Sequence, residues 1–158
     1  MTILSTSQLA QVSQSILWRV ATAFRDLNKW LSEVEKAERL GGESEGIGNL
    51  WRFRVRRNAG HQVVEAEITE WIEGERFGMR PVRQTGVFDG VQVFQVVFDF
   101  KKTADNETEV CIQCEYEPVT KFGRLKNLAY FRRRLLDFLD QLTNSLIAVA
   151  KSEQHEVK

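Results

Sequence analysis

Lys121-Phe-Gly-Arg-Leu-Lys-Asn-Leu-Ala-Tyr-Phe-Arg-Arg-Arg-Leu-Leu-Asp-Phe-Leu-Asp-Gln-Leu142, continuing in the same pattern to Val149, is the stretch that decides the fold. On a helical wheel Leu128, Phe131, Leu135, Phe138, Leu139, Leu142, Leu146 and Val149 share one face, while Arg133, Asp137, Gln141, Asn144 and Lys151 fall opposite. This pattern predicts one long amphipathic helix. About 30 residues at 1.5 Å each extend roughly 45 Å, so the stripe needs an equally long apolar surface to cover. The strands upstream are the only candidate.

Those strands begin in earnest at Asn49. Trp51, Phe53 and Val55 alternate with Arg52, Arg54 and Arg56; Asn58-Ala-Gly-His61 turns the chain; Val64, Ala66 and Ile68 then alternate with Glu65 and Glu67. Closing the hairpin with Arg57 facing Gln62 sets Arg54 opposite Glu65 and Arg52 opposite Glu67, and stacks Val55 on Val64, Phe53 on Ala66 and Trp51 on Ile68. A slip of one residue would set arginines against valines. The hairpin thus has an apolar face and a salt-bridged face, and its arginine run is read as solvated rather than as a nucleic-acid surface. Trp71 falls on the outer face in this reading, as a dimer contact or an isolated exposed aromatic.

Downstream, Glu73-Gly74 turns into the strand Arg76–Val82, where Pro81 calls for an edge or a bulge, and Asp89-Gly90 marks a hairpin tip. Phe94, Val96, Phe98 and Phe100 line one side of the next strand; Val110, Ile112, Cys114 and Tyr116 line one side of the last. Pairing Phe100 with Val110 also sets Lys101 against Glu109. Pro118 ends the strand and Thr120 can cap the long helix. Upstream, residues 2–12 alternate weakly as a first strand, and Ser13 or Ser15 caps a short helix carrying Leu17, Trp18, Val20 and Phe24. A second helical piece, Leu27 to Leu31, holds Trp30. The glycine-bearing link Gly41–Gly48 lacks the Lys-Ser/Thr of a phosphate loop and precedes a strand, so it is a turn.

The totals fit one domain: 158 residues, 42% hydrophobic, with 22 basic and 22 acidic side chains cancelling. No net field draws the chain to nucleic acid or an anionic membrane. The sequence shows neither a bilayer-spanning apolar run nor a signal-peptide pattern, so a soluble, cytoplasmic protein with no stable membrane insertion is expected. Cys111 and Cys114 alternate to opposite faces of one strand, which excludes a disulfide or a shared metal there; with only His61 and His155 besides, neither a metal nor a cofactor is expected.

The order of strand, two short helices, six-strand meander and long C-terminal helix is similar to the helix-grip fold of the START-like (SRPBCC) superfamily. That superfamily also holds the plant pathogenesis-related allergens and the polyketide cyclase/dehydrase and lipid-transport group. Leu17-Trp18 resembles the family's Val-Trp pair, Phe24 its following aromatic and Trp30 the tryptophan ending the second helix. Gly46-Ile-Gly48 resembles its Gly-x-Gly turn, Gly60 its hairpin glycine and Glu115-Tyr-Glu-Pro118 its last strand. Ala23 departs from the aspartate many relatives carry. The resemblance implies an α+β, helix-grip domain over residues 1–152, with a curved antiparallel seven-stranded sheet around the helix and a polar tail at 153–158.

It also implies a cavity for an apolar small molecule or lipid between sheet and helix. Trp51, Phe53, Ile68, Met79, Phe94, Phe98, Ile112 and Tyr116 would face Leu128, Leu135 and Leu139 across it. Arg132 interrupts the apolar stripe, where its guanidinium either pairs with an anion or returns to water along its stem. With Tyr116, it is the candidate polar anchor. Binding as a carrier or sensor is the leading reading. The alternative is a cyclase/dehydratase-like enzyme using Arg132, Tyr116 or an inward carboxylate, although no catalytic triad or carboxylate pair emerges on the inner face. A basic membrane-docking face at Lys121, Arg124, Lys126 and Arg132–Arg134 is diluted by Asp137 and Asp140. A monomer or homodimer is expected.

Overall fold

The computed structural model describes residues 2–42, 46–57, 60–84, 91–118 and 128–156, with side chains throughout except at 57, 60, 61, 83, 84, 91, 118 and 128–131. β1 (Thr2–Ala10) leads into α1 (Gln14–Thr22), whose start is fixed by Ser13: its hydroxyl accepts from the Ile16 N–H at 3.4 Å. A 3-10 helix, Phe24–Lys29, follows. β2 (Val34–Gly41), β3 (Leu50–Arg57), β4 (Gly60–Ile72), β5 (Arg76–Gln84), β6 (Val91–Ala104) and β7 (Glu107–Pro118) then run as a meander, and α2 (Leu128–Glu156) closes the chain. The seven strands form one antiparallel sheet in the order β1-β7-β6-β5-β4-β3-β2. This is the element order that the periodicities predict, in the seven-stranded helix-grip arrangement that the resemblance implies.

The β6–β7 register is the expected one, Phe100 opposite Val110 and Lys101 opposite Glu109. The β3–β4 hairpin corrects the reading: Arg52 lies opposite Glu65, Phe53 opposite Val64 and Trp51 opposite Ala66. Only residues 58 and 59 separate the strands, so the turn is two residues tighter. A shift of two preserves inward and outward faces, and alternation cannot detect it. The charged face survives the change. Arg52 bonds both Glu65 (3.0 Å) and Glu38 (3.2 Å), and Arg80 bonds Glu67 (2.8 Å).

Bulges bend the sheet and reverse its faces locally. One lies between Ile68 and Glu70 of β4, so Trp71 turns inward instead of outward and packs edge-to-face on Trp18 at 5.0 Å. Its indole and that of Trp18 both donate to the Glu73 carboxylate, at 2.9 and 3.2 Å. Pro81 sits at another bulge, where the β4–β5 register shifts.

α2 is fastened along its second half. Leu146 and Ala150 are fully buried, Thr6 of β1 donates to Asp140, the Ser13 N–H donates to Gln154 (2.9 Å) and Arg19 pairs with Glu153 (3.2 Å). The helix therefore runs on through residues 153–156, which the sequence reading placed in a polar tail. No described helix is long and apolar enough to cross a membrane.

In the β2–β3 link the glycines at 42, 46 and 48 all have positive φ, and Gly42 is the most crowded of them. Gly42 has φ +102°, and a Cβ there would meet the Asn49 Cα at 2.9 Å; a Cβ at neighbouring Gly41 meets nothing. Gly42→Ala should lower the unfolding free energy by about 1–3 kcal/mol, and Gly41→Ala should leave it unchanged or slightly raised, as read by urea denaturation.

Candidate functional site: an apolar cavity under the long helix

α2 touches the sheet closely at Leu146 and Ala150 but stands off it further up, leaving a cavity of about 240 Å³. Leu135, Phe138, Leu139 and Leu142 roof it. Phe53, Val55, Val64, Ala66, Met79 and Pro81 line it from β3, β4 and β5, and Val93, Val96, Phe98 and Cys114 from β6 and β7. The short helices close one side with Ala21, Phe24, Leu27, Trp30 and Leu31. Each contribution follows from pattern: alternate residues of the strands, one stripe of α2, and the apolar faces of α1 and the 3-10 helix. The walls present carbon almost throughout.

Aromatic packing makes the floor rigid. Phe77 and Phe98 stack at 4.8 Å with their planes 8° apart, and Trp30 meets Phe98 edge-to-face at 6.0 Å. Among the described residues the β5–β6 ladder extends only from Arg76–Asp99 to Met79–Val96. Beyond it Pro81, which has no N–H to donate, and Val93 lie at the cavity wall. Gly78 sits within this ladder, opposite Val97, where the absence of a side chain lets Gln95 donate to Thr69 across β5 at 3.1 Å.

A second, more polar recess of about 390 Å³ lies on the other side of Phe24, with Trp51, Ile68 and Trp71 as its apolar wall and Arg25, Asp26 and Arg39 among its polar residues. Of the site residues expected from sequence, Phe53, Met79, Phe98, Leu135 and Leu139 line the apolar cavity, whereas Trp51 and Ile68 line this recess. Ile112 and Tyr116 are buried in the core and line neither, and Phe94 is half-buried and also lines neither. A bulge between Val93 and Gln95 gives the inward position to Val93. Arg132 is exposed; the Leu128 side chain, Thr120 and Asp89-Gly90 lie outside the described residues. Sequence reading passed over Trp30, Phe24 and Leu27 as wall residues, although their place on the short helices beside the sheet was the available signal.

The titratable groups near the cavity are held neutral. Burial pushes the Cys114 thiol up to about 12, with the Glu115 carboxylate adding to the shift. Burial also raises the Tyr116 phenol, against the opposing pull of the Arg132 guanidinium. Cys111, on the outer face, is raised by burial and by Asp99 and Glu109, with Arg76 opposing. Among the described residues no three His, Cys, Asp or Glu side chains group as a metal site.

The chain belongs to the polyketide cyclase/dehydrase and lipid transport family, whose family model matches residues 1–149. The comparison with curated proteins found no match. Among solved structures it is similar to TTHA0849 from Thermus thermophilus, with a TM-score of 0.75 and 16% identity over 96% of this chain and 99% of that one. It is also similar to a START superfamily protein from Mycobacterium smegmatis (TM-score 0.71, 14% identity, 95% and 97% covered). A third is the Zhui aromatase/cyclase from Streptomyces sp. R1128 (TM-score 0.67, 12% identity, 95% and 93% covered). At these identities the likeness establishes the shared fold.

A thiol whose folded value is raised contributes stability below its unfolded value, near 9, and that contribution is lost as pH rises towards about 12. Iodoacetamide at pH 8 should therefore alkylate half-buried Cys111 before buried Cys114, and both more slowly than in urea-unfolded protein. Peptide mass mapping over time reads the order, and unfolding free energy should decline above pH 9.

Proposed function

We propose that the chain binds a hydrophobic small molecule in the cavity beneath α2 and acts as its carrier or sensor. The observation that carries this reading is the cavity itself: a space of about 240 Å³ under α2 whose described lining residues are apolar. Protein interiors pack closely, and apolar side chains that border open space forgo the contacts a packed core would give them. An apolar occupant offsets that loss by supplying the missing contacts and leaving water itself.

The walls favour binding over catalysis. Among the described lining residues there is no carboxylate, histidine, lysine or arginine, and the Cys114 thiol stays protonated at neutral pH. Acid–base chemistry of the cyclase/dehydratase kind needs a group poised near the operating pH. These walls offer shape and exclusion of water instead.

Ala66 is the small residue through which the reading can be tested, being buried on β4 and facing the cavity. The neutral fluorophore N-phenyl-naphthylamine should brighten on binding the wild-type protein. Ala66→Leu should weaken that binding at least tenfold while holding or raising Tm, because the added methyl groups fill the cavity rather than a packed core. Unchanged probe affinity with a lowered Tm would place the probe elsewhere and sink the assignment.

A further inference from the structure

One wall residue of the carbon-lined cavity carries an unsatisfied polar group. Trp30 lines it and is only 6% exposed, and its indole N–H is buried without a hydrogen-bond partner. The other two indoles of the aromatic cluster over α1, those of Trp18 and Trp71, both donate to Glu73. Buried polar groups are nearly always paired, and a donor left unmade forgoes roughly 1–3 kcal/mol. Among the described lining residues no side chain supplies an acceptor stronger than a thiol or an aromatic face.

We infer that the occupant of the cavity is a compact, uncharged molecule carrying one hydrogen-bond acceptor, a ketone, aldehyde, ester or ether oxygen, which takes the Trp30 N–H. This deepens the proposed binding function and rests on it. Three features of the site define the class. The cavity volume of about 240 Å³ is below the range of roughly 300–1,000 Å³ usual for small-molecule sites, so the occupant is compact. No charged side chain among the described lining residues can compensate an ion, and an unpaired carboxylate or ammonium in such a space is strongly disfavoured by desolvation. A single donor matches a single acceptor; each further hydroxyl or carbonyl would be stripped of water without a partner. The indole nitrogen is packed out of the open space, so the inferred binding mode includes a turn of the Trp30 ring when the acceptor binds. Arg132, the anchor suggested by sequence, is exposed and does not line the cavity, and Tyr116 does not line it either.

Three naphthalenes of similar shape separate the possibilities: ethylnaphthalene, methyl naphthyl ketone and naphthoate. The full chain is titrated with each by isothermal calorimetry, alongside Trp30→Phe, which keeps an aromatic ring and removes the donor. In wild type the hydrocarbon and the ketone should bind and naphthoate should bind at least 100-fold more weakly than the ketone. The ratio of ketone to hydrocarbon affinity should fall about 5- to 10-fold in Trp30→Phe, the loss expected of one buried hydrogen bond. An NMR readout keeps the test independent of that variant's folding. The Trp30 indole proton should move downfield on adding the ketone and not on adding ethylnaphthalene. An indole resonance that stays upfield and unmoved by the ketone would mean that the N–H is spent on the face of Phe98, and would overturn the inference. So would an unchanged affinity ratio, or naphthoate binding as tightly as the ketone. In each of these cases hydrocarbon binding leaves the carrier reading standing. If none of the three binds, both readings fall together.

Discussion

Among the described residues α2 is held most tightly towards its C-terminal end, and the rest of the molecule is arranged around that asymmetry. From Leu146 to Ala150 the helix packs directly on the core, and polar contacts to Thr6, Ser13 and Arg19 fix its rotation against β1 and α1. At Leu135, Phe138, Leu139 and Leu142 the same apolar stripe borders the cavity. A straight rod of 29 residues cannot follow a sheet that curves away beneath it, so the stripe remains apolar while its partner surface recedes. The cavity is the geometric consequence of laying one rigid helix across one bent sheet.

The bend has identifiable sources. Register shifts occur at Ile68–Glu70, at Glu65–Ala66 and at Val93–Gln95, all on the strands that wall the cavity. Each increases local twist and exchanges which residues face inward. The bulge after Ile68 brings Trp71 onto Trp18, and Glu73 then receives both indoles, which ties α1 to the sheet's corner. The outer surface is stabilised differently, by cross-strand pairs such as Arg52 with Glu65 and Arg76 with Asp99. These pairs are partly exposed and individually weak; their value lies in opposing a one-residue slip that would bury arginines.

Much of the architecture was legible in the sequence because it rests on period. The stripe from Leu135 to Val149, the alternation of Val96 to Phe100, and the Phe100–Val110 pairing are direct readings of which residues share a face. The β3–β4 register was not legible, since a two-residue shift leaves every face unchanged and only turn length decides it. Phe94 and Trp71 were misplaced for the opposite reason: a bulge breaks the period, and no residue type announces it. The site was legible where simple alternation holds, at Phe53, Met79 and Phe98, and along α2 at Leu135 and Leu139. Trp30 was visible as a family-like residue but not as a wall, because its position depends on how the short helices close onto the sheet. That its N–H has no partner is a property of the packed structure alone.

Native mass spectrometry of the freshly purified full chain, followed by organic extraction of whatever dissociates, tests the central claim most directly. A cavity that works as a binding site should yield one molar equivalent of a neutral, apolar molecule, or an empty protein whose Tm rises when such molecules are added. A clean mass with no thermal shift from any neutral apolar compound tried would show that the space under α2 is only a packing defect, and would contradict the account.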